Sequence, residues 1–418
     1  MRGVSITDAL ASEPVARKVG TIEREHLANK GKITIEHDGG TFEDVTLDAP
    51  VLDSNFSRVF RIFQQDPDEF EIVDDTVRMS TWQQSKALEN GARDIVQLYS
   101  YSARFKRKAK ARLSDDEVEE RRKAVRAWKV APKRTQTKRQ TTSASGTYPP
   151  VAAVINLADI QGGKSEGGGV AATSKRLEDG LQNVDRYLDR MGSDYNISEI
   201  VLVNNGDPME NCAGNYAAQL FTVELNTRQQ MNFVLDVWEQ YARHLFPRYD
   251  KARFVSVLCN HGEFGRMGSA KSQTSDSDNA GGFLAETLRR VLDRPEFAHV
   301  EWTIPHDQMN VYADVAGVPM AFNHGHKIPG NDASGFEKWL NGQVRGDHNA
   351  HAARIWQTAH RHHFAAWDMG STSVFQAPSL DGGSKWLTDM TGRYSRSGIL
   401  AYLVGNHAPL GWSDMAFL

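Results

Sequence analysis

The sequence predicts an α/β fold over residues 149–418, preceded by a small α+β module over residues 1–105. After Val151, short apolar runs that suit buried strands alternate with segments in which apolar residues recur every three or four positions, as in amphipathic helices. Each apolar run ends in a cluster of polar residues. Alternating strands and helices favour a sheet whose functional site lies at the carboxyl ends of the strands, where these clusters fall.

The N-terminal module is predicted from one helical and two extended segments. NFSRVFRIFQQ predicts a helix, whereas EFEIVDDTVRMSTWQ and ARDIVQLYSYSARFKRK predict strands. In the last strand Tyr99, Tyr101 and Ala103 alternate with Leu98, Ser100 and Ser102, which predicts one buried face. The segment 5–31 could form two short helices around a turn. This pattern is too weak to assign the segment as a helix-turn-helix.

Residues 106–148 are expected to form a basic helix followed by a linker. SDDEVEERRKAVRAWK predicts a helix that Ser114 caps, and the Thr/Ser/Lys-rich segment after it ends in Pro-Pro. Fifteen Lys and Arg against five Asp and Glu give residues 104–139 a net charge of +10, although the whole chain carries -4. Such a run is either a solvated surface or a binding site for a polyanion such as DNA.

Five apolar runs predict the strands of the larger domain: VAAVINLAD, EIVLVNNGD, ARFVSVLCNH, VPMAFNHGH and ARIWQTAHRH. The apolar positions that predict helices between them are Leu177, Leu181, Val184, Leu188 and Met191, then Phe233, Val237, Tyr241 and Leu245, then Leu284, Leu288 and Val291. Two further runs, TSVFQAPSL and SGILAYLVGNH, are expected to complete a second sheet.

Three histidines stand close together in QTAHRHHF, Gln357 to Phe364. A polar surface loop would explain such a group. If the strand continues through it, His360 and His362 point to the same side, as metal ligands must. The chain has only two cysteines, too few for a disulfide framework or a cysteine-based zinc site, so a metal site would use His, Asp and Asn.

Composition narrows the class of protein. With 40% hydrophobic and 24% charged residues, the 418-residue chain is typical of a globular protein. It contains no apolar run long enough to span a membrane, and its first residues lack the apolar core of a signal peptide. We therefore expect no membrane association and a cytoplasmic location, which would be the host cytoplasm for a viral protein.

The polar clusters at the strand ends follow a recognisable order. In chain order they are Asp159-Ile160-Gln161, Gly206-Asp207 with Glu210-Asn211, Asn260-His261, His324-Gly325 and His360-Arg361-His362. Together they resemble the five sequence blocks of the calcineurin-like metallophosphoesterase superfamily, which are D-x-H, G-D-x-x-[D/E], G-N-H-[D/E], H and G-H-x-H. The resemblance covers Val151 to about Phe364 and implies a four-layer αββα sandwich.

The resemblance also implies a centre of two divalent metal ions. It assigns seven residues to them: Asp159, Gln161, Asp207, Asn260, His324, His360 and His362. Asp207 would bridge the two ions, Asp159, Gln161 and His362 would bind one of them, and Asn260, His324 and His360 would complete the other.

Three more residues receive roles at this centre. His261 would stay off the metals and act as a catalytic residue on the phosphate, while Lys164 and Arg361 would contact the substrate. A hydroxide bridging the metals would attack phosphorus, and His261 would protonate the leaving oxygen.

Three positions depart from the family blocks. Gln161 replaces an imidazole by a harder and weaker oxygen donor, which favours manganese or magnesium over iron or zinc at that position. Cys259 and Ala359 each stand where the blocks have glycine. We expect manganese, with magnesium, iron or zinc as alternatives.

The superfamily includes enzymes with several substrates, and the basic segment favours a polyanionic one. The closest resemblance is to SbcD-type DNA repair exonucleases, including bacteriophage members, which implies a DNA nuclease and raises an ATPase subunit as a partner. The alternatives are a phosphomonoesterase on a small or protein substrate and a non-catalytic DNA-binding protein. A further alternative is a P-loop ATPase, because ADIQGGKS fits the relaxed phosphate-loop pattern, although the glycines that follow it oppose a helix start.

Overall fold

The computed structural model describes residues 31–36, 39–87, 93–108, 112–129, 149–215, 219–264, 275–330, 332–383 and 394–418. The chain divides into two compact units, Met1–Lys110 and Ala111–Leu418. The two short helices predicted within 5–31 lie outside the described residues, as does most of the linker after Lys129.

The first unit is built on an antiparallel sheet. Its elements are β1 (Lys32–Ile35), β2 (Gly39–Leu47), α1 (Ser57–Ile62), β3 (Phe70–Ile72), β4 (Arg78–Ala87) and β5 (Arg93–Arg107). The long strand β5 pairs with β2 along one side and with β3 and β4 along the other. Tyr99, Tyr101 and Ala103 enter a core rich in phenylalanine, so the predicted burial of this face is confirmed.

The second unit alternates strands and helices in the predicted order. Its helices are α2 (Asp115–Arg126), α3 (Gly169–Asp194), α4 (Thr227–Leu245), α5 (Ala280–Val291), α6 (Ala333–Gly346) and α7 (His348–Ala352). Its strands are β6 (Val151–Leu157), β7 (Ile197–Asn204), β8 (Lys251–Ser256), β9 (Val300–Thr303), β10 (Val311–Val315), β11 (Val318–Phe322), β12 (Ile355–Thr358), β13 (Ala365–Asp368), β14 (Ser373–Gln376), β15 (Leu400–Val404) and β16 (Trp412–Phe417). Strands β9, β10, β13 and β16 were not predicted.

These strands form two sheets. In the first, of order β16-β15-β6-β7-β8-β9, the strands from β6 to β9 run parallel. In the second, of order β10-β11-β12-β14-β13, the three central strands run parallel. Strand β14 lies in the second sheet as expected. The expectation for β15 was wrong, because β15 pairs with β6 and extends the first sheet.

The sheets pack face to face between two layers of helices. Along β6, Ala153 and Ile155 belong to the core shared with the helices, while Ala152 and Val154 belong to the core shared with the second sheet. A strand buried on both faces needs apolar residues at successive positions, which explains the run VAAVINL, apolar except for Asn156. Helices α3, α4 and α5 contribute to the first core, and α6 packs on the outer face of the second sheet. The four-layer αββα fold is confirmed.

Helix α2 belongs to the second unit, although its sequence was assigned to a connecting segment. Ser114 and Glu117 form a capping box at its start, as expected from the polar cap. Val125 is fully buried, and Arg122 makes two hydrogen bonds, of 2.7 and 3.3 Å, to the buried carboxylate of Asp236 on α4. The +10 segment is therefore shared between β5 of the first unit and α2 of the second.

None of the described helices combines the length and the apolar character that crossing a membrane requires.

Candidate metal centre

Turns after five strands of the second unit bring polar side chains together. Backbone hydrogen bonds join the turns in pairs: Gln161 N donates to the carbonyl oxygen of Asp207, and Ala359 N donates to that of His324. Five predicted ligands have left-handed backbones: Asp159 (φ 48°), Gln161 (φ 44°), Asp207 (φ 45°), His360 (φ 72°) and His362 (φ 56°). Such backbones cost about 1–3 kcal/mol each and tend to cluster at functional sites.

Three of the predicted ligands form a compact group. Asp207, His324 and His360 each offer one ligand atom, and these atoms lie within 4.8 Å of one another. His324 Nε2 is 2.9 Å from Asp207 Oδ2 and 3.1 Å from Asn260 Oδ1. The fourth predicted ligand, Asn260, therefore also faces the group, and the four fit one divalent cation, since nitrogen and oxygen donors without thiolate suit manganese, iron or zinc.

Two further ligands, Asp159 and His362, lie next to this group. His362 Nε2 is 3.5 Å from Asp159 Oδ1, an atom that receives no hydrogen bond within the described residues. The other oxygen of Asp159 accepts a hydrogen bond of 3.1 Å from the backbone N of His360. A buried carboxylate oxygen with no donor suits a cation, so these residues fit a second metal ion.

Burial and neighbouring charges shift the pKa values of the first group. Burial raises the pKa of Asp207, but the neighbouring His324 and His261 outweigh burial and hold this pKa well below its ordinary value. Burial and the adjacent His324 lower the pKa of His360 to about 2. Asp207 is therefore anionic and His360 neutral, which are the forms that bind metals. Burial alone would lower the pKa of His324, but the carboxylate of Asp207 raises it, so a metal ion at His324 competes with a proton.

The second group is protonated differently. Burial raises the pKa of Asp159 to about 6. Burial alone would lower the pKa of His362, but the carboxylates of Asp381 and Asp159 raise it to about 9. A metal ion that binds His362 at neutral pH must therefore displace a proton.

The amide oxygen of Gln161, the atom expected to bind metal, is engaged by a lysine. Gln161 Oε1 lies 3.1 Å from Nζ of Lys164, and Gln161 Nε2 lies 3.5 Å from His362 Nε2. Lys164, expected to contact substrate, is buried with its Nζ 2.7 Å from Asp381 Oδ2. Asp381 lies after the end of β14 and was not predicted as a site residue. The signal for it in the sequence was a carboxylate that follows one more predicted strand.

His261 is held beside the first group by its backbone. Its N donates a 2.9 Å hydrogen bond to Asp207 Oδ1, and its Nδ1 lies 2.7 Å from the backbone oxygen of Glu210. Asn211 Nδ2 donates a hydrogen bond of 3.1 Å to the carbonyl oxygen of His261. With Nδ1 donating to Glu210, Nε2 is the ring nitrogen that can exchange a proton with a substrate.

His360 and His362 reach the site for a different reason than predicted. Strand β12 ends at Thr358, and both histidines lie in the turn after it with left-handed backbones. Strand alternation therefore does not place them, and the turn does. Arg361 between them, expected to contact substrate, instead donates to the carbonyl oxygens of Ile328 and Gly330 and so ties two loops together.

The structure contradicts the phosphate-loop reading of ADIQGGKS. In a P-loop the helix starts at the Lys-Ser pair and its amides hold phosphate. Helix α3 begins at Gly169, and the carboxylate of Glu224 accepts a 2.8 Å hydrogen bond from Val170 N at that helix start. Lys164 is engaged with Asp381, so neither element is available to a nucleotide.

No protein-family model matches the chain, and neither does any curated protein. Among solved structures, a predicted phosphoesterase from Streptococcus pneumoniae aligns at 12% identity and a TM-score of 0.27, over 62% of this chain and 85% of that one. Vps29 from Entamoeba histolytica in complex with Zn²⁺ aligns at 10% identity and a TM-score of 0.28, over 60% of this chain and 84% of that one. An archaeal phosphodiesterase aligns at 9% identity and a TM-score of 0.27, over 64% of this chain and 99% of that one. Alignments at these scores do not establish an activity, so function has to be argued from the residues of the site.

Proposed function

We propose that the second unit is a metal-dependent phosphodiesterase with two divalent ions, and that the protein acts on DNA as a nuclease. The observation that carries the proposal is the convergence of Asp207, Asn260, His324 and His360 on one point, with Asp159 and His362 beside it. Bound divalent ions would activate water and neutralise charge on the phosphate. Manganese is the expected metal, because the donors are oxygen and imidazole.

The protein's own residues supply the remaining chemistry. Asp207 offers a carboxylate whose two oxygens face different partners, Oδ1 the backbone of His261 and Oδ2 the ring of His324. This carboxylate would therefore couple the metal ligands to the turn that carries His261. His261, oriented through Nδ1 by Glu210, would protonate the oxygen that leaves phosphorus.

The test is hydrolysis by the purified full-length protein of bis-p-nitrophenyl phosphate and of end-labelled DNA after exhaustive chelation. We expect no turnover without metal and recovery on addition of Mn²⁺, with Mg²⁺, Zn²⁺ and Fe²⁺ compared. Full activity of the chelated protein on both substrates would refute the metal mechanism. Cleavage of the chromogenic diester without cleavage of DNA would refute the nuclease assignment alone.

A phosphomonoesterase on a small substrate is the second candidate, and one observation favours it. Ion pairs neutralise much of the described part of the basic segment, joining Lys106 to Glu71, Arg107 to Glu69, Arg122 to Asp236 and Lys123 to Glu120. A lysine or arginine that is paired with a carboxylate adds little net positive charge, so it attracts a phosphate less strongly than an unpaired cation does. A higher turnover of p-nitrophenyl phosphate than of the diester would favour this candidate.

A further inference from the structure

A buried ion pair adjoins the second group of ligands, and the roles proposed above do not use it. Lys164 is 6% exposed and Asp381 is fully buried, with 2.7 Å between Nζ and Oδ2. Glu166, at 3.6 Å, is the next carboxylate from Nζ. Burying two charges is unfavourable unless their geometry is good, so a pair placed beside metal ligands calls for a reason other than stability.

Lys164 fixes the orientation of Gln161. An ammonium group only donates hydrogen bonds, so the amide atom 3.1 Å from Nζ has to be the oxygen, as the structure has it. The amide nitrogen then points to Nε2 of His362, 3.5 Å away. The one atom of Gln161 that could ligate a metal is therefore bound to a cation already.

Asp381 fixes the orientation of His362. Its Oδ2 lies 3.4 Å from Nδ1 of the ring, while Nε2 faces Asp159. The loop that carries Asp381 is anchored, because Leu380 N donates to the carbonyl oxygen of Asp159 and Gly383 N donates to Asp381 Oδ1. A carboxylate on the far nitrogen of a histidine ligand orients the ring for the metal.

We propose that Lys164 and Asp381 are positioning residues that make the two metal positions unequal. The ammonium of Lys164 occupies the Gln161 oxygen in place of a metal ion and repels a cation at Asp159 and His362, whereas Asp381 orients His362 and offsets part of that repulsion. The position at Asp207, Asn260, His324 and His360 then binds metal tightly and the other binds it weakly. This inference rests on the proposed function only in requiring that metal binds here.

The experiment is Mn²⁺ titration of the full-length protein, followed by electron paramagnetic resonance of free Mn²⁺ and by calorimetry. For the wild type we expect two classes of site that differ at least tenfold in Kd. Lys164→Met removes the ammonium at similar side-chain length, and we expect the weak site to tighten by about tenfold, a usual size for the effect of one neighbouring charge on an ionic equilibrium. Asp381→Asn should weaken it by about 10- to 100-fold.

The matched control is Lys175→Met on α3, which removes an exposed lysine paired with Asp179. Both of its Mn²⁺ affinities should equal those of the wild type. The double variant Lys164→Met/Asp381→Asn removes both charges together and should fall between the single variants, and it decides the matter if either single variant fails to fold.

Two results would overturn the inference while leaving the proposed function in place: two Mn²⁺ ions bound by the wild type with equal affinity, or a weak site unchanged in every variant. Absence of Mn²⁺ binding to the wild type would overturn the proposed function and this inference together. A merely structural ion pair would change the melting temperature of the variants without changing the ratio of the two affinities.

Discussion

At the scale of single residues, the carboxylate of Asp207 contacts two groups of the proposed site, the ring of His324 and the backbone N of His261. Asp207→Asn keeps the size of the side chain and removes its charge. We expect turnover of bis-p-nitrophenyl phosphate to fall by two or more orders of magnitude, as for a lost electrostatic centre. Circular dichroism should remain that of the wild type. Activity above about a tenth of the wild-type value would contradict a role in holding metal.

His261 and His360 should separate catalysis from metal binding. His261→Ala removes the group that would protonate the leaving oxygen, so turnover should fall by about 10²–10⁴-fold while Mn²⁺ content stays unchanged. His360→Ala should lose the tightly bound ion, because His360 supplies one of the three ligand atoms that lie within 4.8 Å of one another. Metal analysis of both variants after gel filtration is the measurement. Equal metal loss in both variants would show that the roles are assigned wrongly.

At the scale of elements, the turn after β7 depends on a glycine. Gly206 has φ 100°, and a Cβ there would lie 2.2 Å from Nδ1 of His324, which contacts the carbonyl oxygen of Asn205. Gly206→Ala should therefore lower the free energy of unfolding by about 1–3 kcal/mol, measured in urea, and displace His324 from the metal position.

The matched control for that turn is Gly342→Ala in α6. No atom lies within 4 Å of a Cβ built at Gly342. Alanine is favoured over glycine inside a helix, so we expect this variant to be about 0.5–1 kcal/mol more stable than the wild type. A Gly206→Ala variant as stable as the wild type, with unchanged Mn²⁺ affinity, would argue against the described packing of His324.

Helix α2 should stabilise the second unit. Val125→Ala removes two buried methyl groups and leaves a cavity, which should cost about 2 kcal/mol of unfolding free energy. Lys123→Ala changes an exposed residue of the same helix and should alter stability by less than about 0.5 kcal/mol. Both are measured by urea unfolding. If Val125→Ala has no effect, α2 does not stabilise the second unit as its packing indicates.

At the scale of the whole molecule, the basic segment decides between a nucleic acid and a small substrate. Lys133, Arg134, Lys138 and Arg139 lie outside the described residues, and replacing all four with glutamine should weaken DNA binding at physiological salt. The slope of log K against log salt should become shallower by up to about 2.8–3.6, since each of the four phosphate contacts adds about 0.7–0.9. Turnover of the chromogenic diester should not change. Fluorescence anisotropy at several salt concentrations measures the slope.

A control for the salt dependence is Lys123→Gln, which removes a charge that already pairs with Glu120 and should leave the slope as in the wild type. An unchanged slope in the quadruple variant would make the segment a solvated surface. The small-substrate phosphoesterase would then become the preferred function.

The sequence by itself determined which segments of the second unit form buried strands and which form the helices that cover them, because burial imposes a local pattern. A strand covered on both faces favours a mostly apolar run, such as VAAVINL. A helix that covers the strand favours apolar residues three or four positions apart, such as Leu177, Leu181 and Val184. The order of polar residues at strand ends also identified Asp207, Asn260 and His324, since parallel strands bring their carboxyl ends to one edge.

Only the tertiary structure decided how residues distant in sequence meet. Asp381 is 217 positions from Lys164, and nothing local shows that its carboxylate will meet that ammonium. The left-handed turn that aims His360 and His362 cannot be read from a strand pattern, because the contacts of the surrounding loops stabilise it. Helix α2 likewise joins the second unit through Asp236, more than a hundred residues away, because packing and ion pairing depend on distance in space.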